Sequence, residues 1–219
     1  MRLDWSVVPA HAGALAQGTL LTVLLAVITM VLAVPGGIVL ALLRLSGVRV
    51  LEAASASFTE LFRNLPLILV IYAAYYILPL VSDVAFSPFT TGLIALALNV
   101  SAYNGETFRA GIISIRKGQS EAALALGMSR WQAMREVVLP QATRRVMPVL
   151  ASTWVSLFKD TSLVSVISVG ELAYTSMQIR SQTFRVLEML TAMAAIYWVL
   201  GYPQAKLVDW LNRKYGIRE

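Results

Sequence analysis

A chain of 219 residues that is 58% hydrophobic and only 14% charged is too apolar for a soluble domain, and far too apolar for a disordered one. It has no cysteine and a single histidine, His11, which excludes disulfide frameworks, thiolate metal sites and a histidine cluster for zinc. The net charge of +6, from 18 Lys and Arg against 12 Asp and Glu, reads in this background as basic loops at a membrane rather than as a nucleic-acid footprint.

Stretches free of formal charge place the spans, since a crossing helix needs about 20 predominantly apolar residues. No charge falls between Asp4 and Arg44, and residues 19–43 are read as the first span. Pro35-Gly36-Gly37 inside it predicts a kink and not a break, because lipid offers the freed backbone no partner. The later gaps give spans over 64–82, 86–108, 146–160 and 188–206, with a loop or short helix at the outer surface after Asp160. A signal peptide does not fit. The apolar region far exceeds the roughly 7–15 residues of such a core, and Ala10-His11-Ala12 precedes it, so the first helix is expected in the mature protein.

Lys and Arg placement sets the orientation. Arg44, Arg49 and Arg63 fall in the first connection, and Arg109, Arg116, Lys117, Arg130, Arg135, Arg144 and Arg145 in the third. Lys206, Arg213, Lys214 and Arg218 follow the last span, while Arg2, Arg180 and Arg185 lie on the opposite side and Lys159 at a helix end. The expectation is an all-α membrane protein of about five spans, one domain over residues 1–219, with its N-terminus outside and its C-terminus cytoplasmic.

The connection over 109–145 is far longer than a median loop of about 4–6 residues, and long loops carry function. Ser120 precedes the helix formers Glu121 to Leu126, and Gly127 stands where a helix would end. Ser129 with Gln132 three residues on matches a capping box, opening a second helix that Pro140 is expected to stop. Two readings stand: a pair of amphipathic helices on the lipid headgroups, or a docking element for a soluble partner. Glu121 favours docking, because a carboxylate facing anionic lipid is unhelpful.

Glu121-Ala122-Ala123, then Gly127, then Leu139-Pro140 resembles the EAA loop of ABC-importer permeases. The chain as a whole is similar to permease subunits of bacterial polar amino acid ABC importers, of type I fold. The matching stretches are Phe62 to Leu67, Ala102 to Ile112, Lys117-Gly118-Gln119, Lys159 to Leu163 and Gly170-Glu171-Leu172. Leu65 stands where that family commonly has Thr. The resemblance implies that Glu121, Ala122, Ala123, Gly127, Leu139 and Pro140 couple the chain to a separate ATPase subunit in the bacterial inner membrane. No G-x-x-x-x-G-K-[ST] run occurs, so energy must come from outside the chain.

Ionisable groups at the spans mark a pathway or a paired structural site. Glu60 and Arg63, and likewise Glu106 and Arg109, are spaced for i,i+3 pairs or for gating. Glu188 is a further such group. Lys159-Asp160-Thr161-Ser162 offers a cation, an anion and two hydroxyls, which suit either a zwitterionic amino acid or a local salt bridge at a helix terminus. With Asn64 and Glu106 these form the candidate substrate pathway. Asn99, Ser101, Tyr103 and Asn104 are compatible with a lined cavity or with helix–helix hydrogen bonding, and Tyr72, Tyr75 and Tyr76 with a pathway or a lipid interface.

The function expected is that of a membrane subunit of an ATP-driven importer of a polar or charged L-amino acid, with no catalytic residues, metal or cofactor of its own. ATP and magnesium would belong to partner ABC ATPase subunits. The other partners expected are an identical or homologous permease, a periplasmic or lipid-anchored binding protein and the amino acid itself, with no nucleic acid. The rival is an ion-coupled secondary transporter using Glu106 or Asp160. It is disfavoured because no inverted repeat is visible and five spans do not halve.

Overall fold

In the computed structural model, residues 3–215 are described, and among them every regular element is helical. Arg2 and Arg218, which entered the charge count, lie outside the described residues. A single turn, α1 (Val7–Ala10), leads into α2 (Ala12–Arg44), which is 33 residues long and runs unbroken through Pro35. The buried side of α2 is a stripe of small residues, Gly18, Thr22, Ala26, Thr29, Ala33, Gly37 and Ala41, at helical spacing. Such a stripe lets another backbone come close. The partner is α6 (Pro88–Ile113). A Cβ on Gly37 would stand 2.6 Å from Asn104 Cβ and 3.0 Å from the Gly105 nitrogen, so only glycine fits this crossing. Ser87 caps α6 through the Thr90 amide at 3.2 Å, with Pro88 in its first turn.

The stretch between α2 and the second expected span is itself a helix, α3 (Arg49–Asn64). Glu52 receives the Gly47 amide at 3.0 Å, and the Ser55 hydroxyl donates to the Leu40 carbonyl at 2.8 Å, strapping α3 to α2. Pro66 ends α3 by forcing Leu65 into extended backbone (φ −89°, ψ 138°). The chain then turns through 107° into α4 (Leu67–Tyr72), a π-helical segment (Ala73–Ile77) and α5 (Leu78–Ser82).

After α6 come α7 (Lys117–Ala125), α8 (Arg130–Gln132), a second π-helical segment (Ala133–Val138) and α9 (Leu139–Asp160). Pro140 therefore does not stop the helix begun at Ser129, which continues through α9. The reason is the widened turn. A proline clashes with the carbonyl four residues back and cannot donate to it, and a π turn relaxes the helix there. Both π segments directly precede a Leu-Pro pair, Leu78-Pro79 and Leu139-Pro140.

Beyond Asp160 the expected short helix is a 3₁₀ segment (Thr161–Ile167), and it buries Thr161, Val164 and Ile167 within the protein, the latter two in the main core with Leu25, Ile71, Leu96 and Phe158. Then follow α10 (Leu172–Thr183) and α11 (Val186–Tyr215). By length and composition α2 and α11 can cross a membrane, and the bent α3 to α5 stretch adds a third if it is one span. The third and fourth expected spans are α6 and α9. At 26 and 22 residues they are long enough. What lowers their apolar character is Asn99, Ser101 and Asn104 in α6, all buried against neighbours, and Arg144 and Arg145 at the start of α9.

Candidate functional site

Two regions gather the polar and exposed features. The first is the turn between α7 and α8. Helix α7 begins at Lys117, three residues before Ser120, whose hydroxyl folds back onto the Lys117 carbonyl at 3.0 Å. Its end is a Schellman motif. The Gly127 amide bonds the Leu124 carbonyl at 3.0 Å, and the Met128 amide bonds the Ala123 carbonyl at 3.1 Å. Gly127 has φ +86°, a conformation open to glycine and strained for a Cβ-bearing residue. The capping box forms as its spacing predicts. Ser129 Oγ accepts the Gln132 amide at 3.2 Å, and Gln132 Oε1 accepts the Ser129 amide at 2.8 Å.

These caps make a rigid knuckle, and packing fixes its base. Ala123 and Ala133 are buried, and Ile115, Val138 and Ala142 form a small separate core beneath it with Ile112 and Met134. Arg145 donates to the Ser114 carbonyl at 2.6 Å, holding α9 to the end of α6. The outer side is apolar and uncovered, with Leu126 82% and Trp131 68% exposed. Glu121 and Ala122 are exposed, Leu139 is half-buried and Pro140 is exposed.

The second region is a cavity of about 660 Å³ at the α3–α4 break. Arg63, Asn64, Asn99 and Tyr103 line one side, and Ser152, Ser156 and Asp160 of α9 line the other. A helix that stops inside a protein leaves carbonyls to satisfy. Asn99 donates to the Phe62 carbonyl at 2.7 Å, and Tyr103 donates to the Arg63 carbonyl at 3.3 Å. The Arg63 guanidinium lies 5.4 Å from the Tyr103 ring centre, in cation–π contact. The break thus carries a cation on one wall, and the half-buried carboxylate of Asp160 and two serine hydroxyls stand on the other.

Of the six expected pathway residues, Asn64 and Asp160 line this cavity. Glu106 is engaged by Arg109 at 2.7 Å, the Thr161 hydroxyl is buried on the Phe158 carbonyl at 2.8 Å, and Ser162 bonds the exposed Lys159 through its carbonyl at 2.8 Å. No ion pair joins Glu60 to Arg63 among the described residues. Glu188 accepts the Asp4 amide at 2.9 Å and anchors the N-terminal segment to α11.

One buried acid is not singled out by sequence spacing. Glu171, wholly buried, caps α10 by accepting the amides of Ala173 at 2.9 Å and Tyr174 at 2.7 Å. It also accepts the Tyr197 hydroxyl at 3.0 Å and faces Thr22 at 3.4 Å, so one carboxylate joins α2, α10 and α11.

The chain is 34% identical to the glutamine transport system permease protein GlnP of Escherichia coli (strain K12), over 99% of this chain and all of that one. It is also 34% identical to the glutamate/aspartate import permease protein GltK of Escherichia coli O6:H1, over 96% and 97% of the two chains. Its fold superposes on a crystal structure of an amino acid ABC transporter with histidines with a TM-score of 0.91 at 32% identity, covering 98% of this chain and 100% of that one. Residues 33–217 match the family described as binding-protein-dependent transport system inner membrane component, and this chain belongs to it.

Proposed function

We propose that the chain is the membrane-spanning subunit of an ATP-driven importer of a polar or charged L-amino acid. A separate ATPase subunit docks on the α7–α8 knuckle, and a binding protein delivers substrate from outside. It works in the bacterial inner membrane with its N-terminus outside, paired with an identical or homologous permease. The observation that carries the reading is the knuckle itself. Two capped helix ends hold Leu126 and Trp131 out from the body in one conformation, and an apolar, pre-ordered projection of this kind suits a groove in a soluble partner.

Substrate passage is assigned to the cavity at the helix break, where Arg63 suits a carboxylate and Asp160 an ammonium group. GlnP and GltK are named for neutral and acidic substrates at the same identity to this chain, so overall likeness does not choose between them. The cavity supports a zwitterion and leaves the side chain of the substrate to be found by assay.

The test is uptake into proteoliposomes holding the chain with its ATPase subunit and binding protein, against a panel of amino acids. Uptake should require ATP inside the vesicles and should vanish in Gly127→Asp together with ATPase binding. Uptake driven by a proton gradient without ATP, or ATPase binding unchanged in Gly127→Asp, overturns the proposal.

A further inference from the structure

From Trp198 onward, α11 carries a pattern with no part in the knuckle or the cavity. Trp198, Tyr202, Lys206, Trp210 and Lys214 follow one another at intervals of four residues, a stripe that winds slowly about the helix. Three of the four successive pairs are in contact. The rings of Trp198 and Tyr202 lie 5.3 Å apart, and Lys206 Nζ sits 5.4 Å from the Tyr202 ring centre. Lys214 Nζ sits 4.8 Å from the Trp210 ring centre and 5.2 Å from that of Tyr215. All five side chains of the stripe face outward.

We infer that the basic end of this stripe, Tyr202 to Lys214, is a binding site for the headgroup of an anionic phospholipid. Helix α11 is long and apolar enough to cross a membrane, so its basic end lies near one of the two bilayer surfaces. Tryptophan and tyrosine settle at the headgroup level, where one end of the ring is apolar and the other wet. Each lysine is held beside a ring, which fixes its ammonium while leaving protons for phosphate oxygens. Lys206 to Lys214 spans about 12 Å along the axis, so two cations bracket a headgroup with Trp210 between them. Arg213 adds positive charge, and Asp209, 3.8 Å from Lys206, sets that lysine against the outer turn. The excess of positive charge over this stretch selects an anionic headgroup over a zwitterionic one. A second copy of the chain would have to bury Lys206, Lys214 and Arg213 against the same residues on its partner, a like-charge contact.

The experiment is native mass spectrometry of the full chain in neutral detergent with phosphatidylglycerol or phosphatidylcholine of identical acyl chains. Wild type should retain phosphatidylglycerol preferentially. The double variant Lys206→Gln/Lys214→Gln should lower that retention roughly 30-fold, in line with the two charges removed, and Trp210→Ala should lower it less. Arg49→Gln, a charge loss on the distant α3, should leave it unchanged. Equal retention of both lipids, or an equal drop in Arg49→Gln, overturns the site. So does a double variant that alters the ratio of monomer to dimer while its lipid adducts stay as in wild type, since the face would then belong to a second copy. None of these readouts depends on transport.

Discussion

Tyr197 of α11 donates its hydroxyl to Glu171 at the head of α10 at 3.0 Å, and its ring meets Phe158 of α9 edge-on at 5.9 Å between centres. One tyrosine therefore ties the cap of α10 to the last turn of the helix that bears Asp160. Glu171→Ala should destabilise the chain by roughly 2–4 kcal/mol, because it strips a helix cap and leaves the Tyr197 hydroxyl without its acceptor. Tyr197→Phe should cost about 1 kcal/mol. Thermal denaturation in detergent of both single variants and the double checks this. Coupled sites predict a double variant less damaged than the sum of the singles.

The α2–α6 crossing leaves no room at Gly37. Gly37→Ala should cost about 1–3 kcal/mol by driving a methyl group into Asn104 and the Gly105 backbone. Gly13→Ala, at a glycine with open space around it, should be neutral by the same denaturation assay. Equal melting of the two variants would contradict the close approach.

Trp131 is exposed and supports no part of the core, so Trp131→Ala should leave the melting temperature unchanged. Its removal should weaken binding of the ATPase subunit at least tenfold, as loss of an aromatic anchor does. Pull-down or interferometry with the purified ATPase subunit reads the difference.

Asp160→Asn preserves shape and removes charge. If Asp160 receives the substrate ammonium, the apparent KM for uptake should rise roughly 10- to 100-fold, the worth of a hydrogen bond to a charged group. ATPase binding should be unaltered. A matched KM in wild type and variant would remove Asp160 from the pathway.

At the N-terminus, the Ser6 hydroxyl donates to Asp4 at 2.6 Å and, with the Ser6 amide, holds the Asp4 carboxyl below its ordinary value. A depressed folded pKa stabilises the fold above the unfolded value and loses that contribution as pH falls through the folded one. Ser6→Ala should therefore lower the melting temperature slightly at neutral pH, by a margin that shrinks as pH falls below about 4, so that the acid limb is flatter than in wild type.

Local signals were legible in the sequence and distant ones were not. Gly127 and the Ser129–Gln132 capping box read correctly because each is decided within a few residues. Pro140 misled for the opposite reason, since the π turn that accommodates it leaves no mark in composition. Helix α3 was hidden because Arg49, Glu52, Glu60 and Arg63 interrupt the charge-free stretches that locate spans, although those residues lie on an amphipathic helix. Glu171 stands in the sequence only as part of Gly170-Glu171-Leu172, and its role as a buried cap is hidden there because Thr22 and Tyr197 lie 149 and 26 residues away along the chain. The α3–α4 break brings Asn64 to the same cavity as Asp160, through a turn that Leu65-Pro66 signals only as an interruption.

From Arg130 to Asp160 the backbone is helical without interruption and without a single glycine. It forms a shaft about 45 Å long with Trp131 at one end and Asp160 at the other. The π turn takes up its extra residue locally, so the helix beyond it keeps nearly the phase it would have without one. Deleting one residue between Ala133 and Val138 would close the wide turn and restore the clash of Pro140 with the carbonyl four residues back, at little change of phase downstream. Deleting one residue of regular helix beyond Pro140 would instead turn Ser152, Ser156 and Asp160 by about 100°, off the cavity wall. The wide turn before Pro140 thus lets a proline sit within the shaft while both ends keep their faces.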